Sequence, residues 1–480
     1  MKTEYPRSFY LRSLLVSLVI ALLGLAPIPH AAGRLFAKAN LAQAQGDARS
    51  ASQYLGEVAN YYPWRYELNL QAGRYAMEAG DPQAAITYLE RPGTVIHLAI
   101  DDLLLLGDAY YQSGDGYMAE AIWKRVNQLA DSAPANERLA NLYLQRQDYA
   151  SAIDALRKLQ RLIPSDTHLY YQIGSLYAAT EPTQALPFLA QAVEIDPAKA
   201  SQAQSLYDKI RTANLFDNPA YTLLISGRQL ANLSEWELAS VAFQRATDLQ
   251  PEYADAWAFL GEARQQVIIQ KNDSTGEVGL AELEHAVKLD PNSVLANTFM
   301  GLYWERQLDY SKAQHNLEQA IINNPGDPYL YSELANILSK AGDLPAAETR
   351  YAEAIKLAPQ DPLFYCLLAE FALEQKIQIR ELALPAARQA LNLDPDDAHA
   401  LDVMAQVMLI LKDYHSAERF ARKALEADPG FTAAYLHLGT VYVYLEDPEH
   451  AREWLNRAKS VGADTWVADQ AQRMLEYYFP

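Results

Sequence analysis

Along most of the chain, apolar positions recur at helical spacing in short runs, and the runs come in pairs. In the stretch 328–361, Tyr331, Leu334, Ala335 and Leu338 fall on one helical face, and Gly342-Asp343 closes a turn. Ala347, Tyr351 and Ala354 then form the facing stripe of a second helix, which Pro359 stops. Small residues at Ala335 and Ala347 predict a close helix crossing, and Tyr351 is of the size to fill the space between neighbouring pairs. The period repeats. Pro291, Pro325 and Pro359 stand at equal intervals, Pro395 comes slightly late, and Pro429 follows at the same interval again. Upstream, Pro164 and Pro197 keep nearly the same spacing. The turn residues Asp309, Asp343, Asp413 and Asp447 hold this register, as do Ala313, Ala347, Ala417 and Ala451. Neither helix of such a pair can bury its stripe alone, so successive pairs must stack.

Within this period the first helices carry an apolar residue and Gly followed by an aromatic, as in Ile173-Gly174-Ser175-Leu176-Tyr177, Met300-Gly301-Leu302-Tyr303 and Leu438-Gly439-Thr440-Val441-Tyr442. The second helices carry Ala239, Phe243, Ala246 and Pro251, or Ala185, Leu189, Ala192 and Pro197. In these residues the chain resembles the tetratricopeptide repeat family. The resemblance implies an all-α, right-handed superhelical solenoid, here of about twelve helix-turn-helix units. The expected organisation is an N-terminal signal or transmembrane segment at 1–32, one array at 33–197 and an extra helix and hinge at 198–219. A second array follows at 220–464, with a capping helix at 465–480. Arg91-Pro92-Gly93 interrupts the second unit, and the unit from Ala254 carries an insertion near 268–278.

Composition changes the picture at the N-terminus. Lys2, Arg7 and Arg12 precede a stretch without charge, 13–33, whose apolar centre runs from Leu14 to Ala26. A basic flank before such a stretch predicts a signal anchor. Cleavage sites in it are poor: small residues are wanted at both −1 and −3, and His30 or Pro29 occupies the −3 place for a cut after Ala32 or Ala31. The expected location is the cell membrane, single-pass, with the repeats outside the cytoplasm; secretion after cleavage is the alternative. The formal net charge of −20, without a basic stripe, argues against nucleic acid as a partner. Cys366 is the single cysteine and sits in an apolar helical pattern, which predicts a buried, inert thiol.

Candidate chemistry is sparse. The sequence has no Gly-rich phosphate loop, nucleophile elbow, H-E-x-x-H or C-x-x-C, and its nine histidines are dispersed. No catalysis, cofactor or metal is expected. Members of the resembled family mainly bind proteins and peptides, with first helices lining the concave face. The resemblance therefore marks His168, Tyr171, Tyr221, Arg228, Asp255, Glu262, Tyr329, Asn336, Glu370, His399, Asp402 and Gln406 as the partner-binding lining. Asn141 and Asn336 match the asparagine that some members use to grip a C-terminal carboxylate, but Glu137 and Ser332 stand where the accompanying lysine would be. The aromatic run Tyr61-Tyr62-Pro63-Trp64-Arg65-Tyr66 reads as a packed corner between the first two units, with contact to lipid headgroups as the other reading. The expected function is a membrane-tethered scaffold for protein interaction outside the cytoplasm. The alternative is a regulatory or substrate-recruiting subunit of an envelope complex for polysaccharide or lipid export or assembly.

Overall fold

The computed structural model describes Val16 and residues 30–197, 200–271, 276–462 and 465–479. All regular structure among them is helical, in consecutive packed pairs. The chain divides into two compact units, the first ending at Arg211 and the second beginning at Thr212. In the first unit, His30–Ala44 pairs with Ala48–Tyr61, and Tyr66–Glu78 with Pro82–Leu89 followed by the single turn Pro92–Val95. Ile100–Gln112 pairs with Gly116–Leu129, Ala133–Gln145 with Tyr149–Leu162, and Thr167–Thr180 with Pro182–Ile195. Helix Ser201–Asn214 spans the division.

The second unit continues with Pro219–Asn232 and Trp236–Leu249, then Ala254–Gln270 and Leu280–Leu289, then Val294–Arg306 and Tyr310–Asn323. Next come Pro328–Ala341 with Leu344–Leu357, and Pro362–Gln375 with Leu384–Leu393, the latter entered through a π-helical turn, Ile379–Ala383. Ala398–Ile410 with Tyr414–Ala427 and Thr432–Tyr444 with Pro448–Val461 complete twelve pairs among the described residues, and Trp466–Tyr478 follows. The membrane segment expected at 13–33 lies outside the described residues except for Val16 and 30–33. Among the described residues no helix is long and apolar enough to cross a membrane.

In nine of the twelve described pairs one repeated turn bends the chain back at the same place. A residue in the left-handed region ends the first helix, and the next residue caps the second. Gly46, Gly80, Gly114 and Gly342 take the left-handed place, but so do Gln147, Ser234, Leu308, Lys412 and Glu446. The following aspartate accepts from a backbone N–H three residues on: Asp47 from Ser50, Asp309 from Lys312, Asp343 from Ala346 and Asp413 from Ser416, all at 3.0–3.2 Å. The periodic aspartates of the sequence are therefore N-caps, placed where a helix terminus favours negative charge.

Packing inside a pair depends on one facing position in each helix. A Cβ on Gly439 would sit 2.8 Å from the Leu455 side chain, and one on Gly301 would sit 3.0 Å from that of Leu317. At the equivalent place Ala335 goes with Tyr351, and Ala405 with Ala421; all four are buried and share their clusters. Total volume across the contact is limited, so bulk on one helix goes with a small residue on the other. Tyr351 also reaches the next first helix, its ring 5.4 Å from that of Phe371, as its size predicted. Successive pairs are joined in addition by a hydrogen bond from the first helix back to the proline that ended the previous pair. Tyr331, Tyr365 and Tyr435 donate to the carbonyls of Pro325, Pro359 and Pro429 at 3.1–3.2 Å, and Trp257 does the same to Pro251 at 2.8 Å.

Candidate functional site

First helices lie side by side in each unit, and polar residues from one meet polar residues from the next. In the first unit Arg74 bonds to Asp102 at 2.7 Å, and Arg138 holds Asp108 through two bonds of 2.5 and 2.8 Å. In the second unit Arg306 clamps Glu262 through bonds of 2.6 and 2.8 Å, with Gln266 donating to the same carboxylate. Glu305 accepts from Asn336 at 3.2 Å and Lys340 at 2.6 Å. Glu370 meets His399 Nε2 at 2.7 Å, and Asp402 meets His437 Nδ1 at 2.8 Å while accepting from Gln406 at 3.1 Å. Apart from the Gln266–Glu262 and Gln406–Asp402 bonds, which lie within one helix, each is a rung between consecutive first helices.

The rungs sort the lining residues into two kinds. Glu262 and Asp402 are buried, 7% and 2% exposed, and their oxygens are taken up inside the chain. Buried carboxylates of this sort hold repeats together, because leaving either unpaired costs a desolvation penalty. The remaining lining residues are half-buried or exposed. Tyr329 is exposed and stands edge-on to Phe364 at 5.2 Å. Arg228 is exposed over the ring of Phe259, and Tyr221 stands edge-on to Phe216. Asp255 is half-buried; burial and nearby Asp290 push its carboxyl up, against the pull of Arg228.

Two cavities adjoin on the first-helix face of the first unit. One, of about 460 Å³, is lined by Glu137, Asn141, His168 and Gln172 among others; the second, of about 400 Å³, by His168, Tyr171, Asp196 and Gln202 among others. His168 is exposed and belongs to both, and Tyr171 is half-buried. Asp166 places this helix start by accepting from the His168 N–H at 2.9 Å. In the second unit, Ser332, Glu333, Asn336, Glu370 and Glu374 share a cavity of about 210 Å³ with the Tyr351 ring. Burial, then the neighbouring Glu305, pushes the Glu333 carboxyl up; burial, then Glu370, does the same to Glu374. Asn336 and Glu370, separate in sequence, are thus brought together, as are His399 and Glu370, while Gln406 reaches Asp402 along its own helix.

Sequence reasoning missed Arg306, Glu305, Lys340, Glu333, Glu374 and His437. His437 follows Asp402 at close to one repeat, so the period itself was the available signal. Arg306 follows Glu262 at a longer interval, since the insertion of this unit intervenes. That insertion is strapped at both ends: Lys271 pairs with Glu237 at 2.6 Å, and Gln307 donates to the Gly276 carbonyl at 3.0 Å. Cys366 is buried, and burial pushes its thiol well above the usual range. Among the described residues no group of three or more His, Cys, Asp and Glu is placed to hold a metal ion.

Models of the tetratricopeptide repeat match residues 137–200, 306–371 and 432–461. The chain is 24% identical over 273 residues to Protein CTR9 homolog from Arabidopsis thaliana, a match covering 55% of this chain and 24% of that protein. It is 21% identical over 279 residues to anaphase-promoting complex subunit 3 from Schizosaccharomyces pombe, covering 55% of this chain and 41% of that one. It therefore spans less than half the length of these curated relatives. Among solved structures, that of the APC/C hetero-tetramer Cut9-Hcn1 aligns with 95% of this chain and 92% of its own at 14% identity, with a TM-score of 0.39.

Proposed function

We infer that this chain, which carries tetratricopeptide repeats, holds other proteins rather than catalysing a reaction, and does so at the first-helix face. The observation that carries the reading is the pair of adjoining cavities around His168. They offer an exposed imidazole, a half-buried tyrosine and the amides Asn141, Gln172 and Gln202, a set suited to hydrogen-bonding an extended backbone while an aromatic anchors a side chain. The lining lacks the lysine of a carboxylate clamp, so the segment bound is an internal one. Stacked repeats change curvature slightly at little cost, which fits reversible docking. Tethering through 13–33, with the repeats outside the cytoplasm, rests on the basic flank and the apolar stretch of the sequence.

Selection of peptides from a random display library on the purified chain tests the binding site. Peptides so enriched are expected to lose about tenfold or more in affinity against Tyr171→Ala or His168→Ala, which corresponds to about 1.4 kcal/mol or more. Equal binding to both variants and the wild type removes the cavities from the reading. Protease protection of the repeats in sealed cells or vesicles tests the tether and its orientation.

A further inference from the structure

The first helix pair places His30, which in sequence follows the N-terminal apolar stretch, at the same end as an exposed aromatic loop. Helix His30–Ala44 runs away from that end, turns at Gln45–Asp47, and Ala48–Tyr61 returns beside it. Both helices are about 21–23 Å long, and Leu35 and Tyr62, from opposite ends of the sequence of this hairpin, pack on the same cluster. Residues 61–66 therefore lie level with His30. The loop that follows the next pair is drawn to the same place. Tyr66 stacks on His97 at 4.0 Å, and Arg91 donates to Asn60 and Asn69 at 3.1 and 2.9 Å.

This end is only partly a packed corner. Tyr62 and Tyr66 are half-buried, as that reading expected, but Trp64 is 72% exposed, Ile96 76% and Tyr61 43%. Large residues this exposed, one of them Trp, on two adjacent loops are the kind that partition into lipid headgroups. Charge points the same way. On the repeat side of the tether, residues 34–66 hold four Lys and Arg against two Asp and Glu, a net +2, whereas residues 67–480 carry −24. Basic groups beside exposed aromatics favour an anionic bilayer surface, which would repel the rest of the chain.

We propose that Tyr61, Trp64 and Ile96 form a foot that rests on the bilayer surface, holding the first helix pairs upright on the membrane. The proposal rests on the tethering reading above, to which it adds a second, peripheral contact. It limits how far the first unit tilts, because two contacts on one edge restrain rotation that a single tether leaves free.

The test uses the full-length chain, whose single native cysteine is buried and thus poorly reactive. Trp64→Cys, Ile96→Cys and, at the opposite end of the first pair, Gln45→Cys each take an environment-sensitive fluorophore. All three native side chains are exposed. Each labelled chain is incorporated into phosphatidylcholine vesicles with about one-third phosphatidylglycerol, with and without lipid spin-labelled near the headgroup. The expected result is flotation with the vesicles and quenching about threefold or more stronger at positions 64 and 96 than at 45. Flotation with equal quenching at all three positions overturns the foot and leaves the tether standing. Failure to float overturns the tether and the foot together.

Discussion

The buried carboxylate of Asp402 meets Nδ1 of His437 at 2.8 Å, joining the first helices of two consecutive repeats. Burial works against a charge on His437, but the carboxylate beside it prevails and raises the imidazole above its ordinary 6.5. A histidine whose pKa is raised by folding contributes stability that is complete below the unfolded value and is lost as pH climbs through the folded one. Melting temperature should accordingly fall as pH rises above 6.5, and His399, raised chiefly by its bond to Glu370, acts in the same direction. The double variant Asp402→Asn/His437→Gln, which keeps an uncharged hydrogen-bonding pair, should show a flatter profile. An unchanged slope in that variant would remove this pair as its source.

Glu262 and Arg306 make the most enclosed of the Arg and Lys rungs, with side chains 9% and 21% exposed. Glu262→Ala leaves the guanidinium unpaired and should cost about 3 kcal/mol. Hydrogen exchange of helices Ala254–Gln270 and Val294–Arg306 reads this repeat by repeat, and should accelerate about a hundredfold for amides that open at this interface. The double variant Glu262→Met/Arg306→Met should recover most of the protection. A single variant with wild-type exchange would show that the pair holds nothing together.

Leu308 occupies the left-handed turn place, at φ 60°, with its side chain 71% exposed. Glycine relieves that backbone cost and loses little packing, so Leu308→Gly should stabilise by about 0.5–1 kcal/mol. Leu308→Ala retains the strained backbone and should give no gain. Thermal unfolding followed by circular dichroism distinguishes the two, and equal melting temperatures would refute the assignment of cost to the turn.

At Gly439, an added Cβ meets both the Leu455 side chain and, at 3.1 Å, its backbone nitrogen. Gly439→Ala should destabilise by about 1–3 kcal/mol through overpacking, despite the better helix propensity of alanine. Because part of the obstruction is backbone, Leu455→Ala added to it should restore only a fraction. A neutral or stabilising Gly439→Ala, measured by urea unfolding, would contradict the close crossing.

Much of the architecture was legible along the chain because every repeat restates it. Pro325, Pro359 and Pro429 marked the ends of second helices, and the aspartates at 309, 343, 413 and 447 marked the turns; the structure explains these as helix caps. The candidate lining was legible only as a set of positions. Glu262 and Asn336 look alike in the pattern, yet one is buried under the two-bond clamp of Arg306, while the other makes a single bond to Glu305 and stays half-buried beside Glu370 and Glu374 at an open cavity. The difference lies in what the next repeat presents, and for Glu262 an insertion moves that partner further along the chain than one period.

By itself the sequence determined the all-helical repeat, its period and the positions that must be small, since these depend on contacts inside one helix pair and recur in register. The charge asymmetry between positions 34–66 and the residues after them was likewise set there. Only the tertiary structure decided which lining residues are consumed as rungs and which stay accessible around His168. It also decided that Trp64 and Ile96, nearly a full repeat apart, emerge on one edge. Those outcomes depend on how stacked helices bring distant side chains within hydrogen-bonding reach or leave them in solvent, a relation between repeats rather than within one.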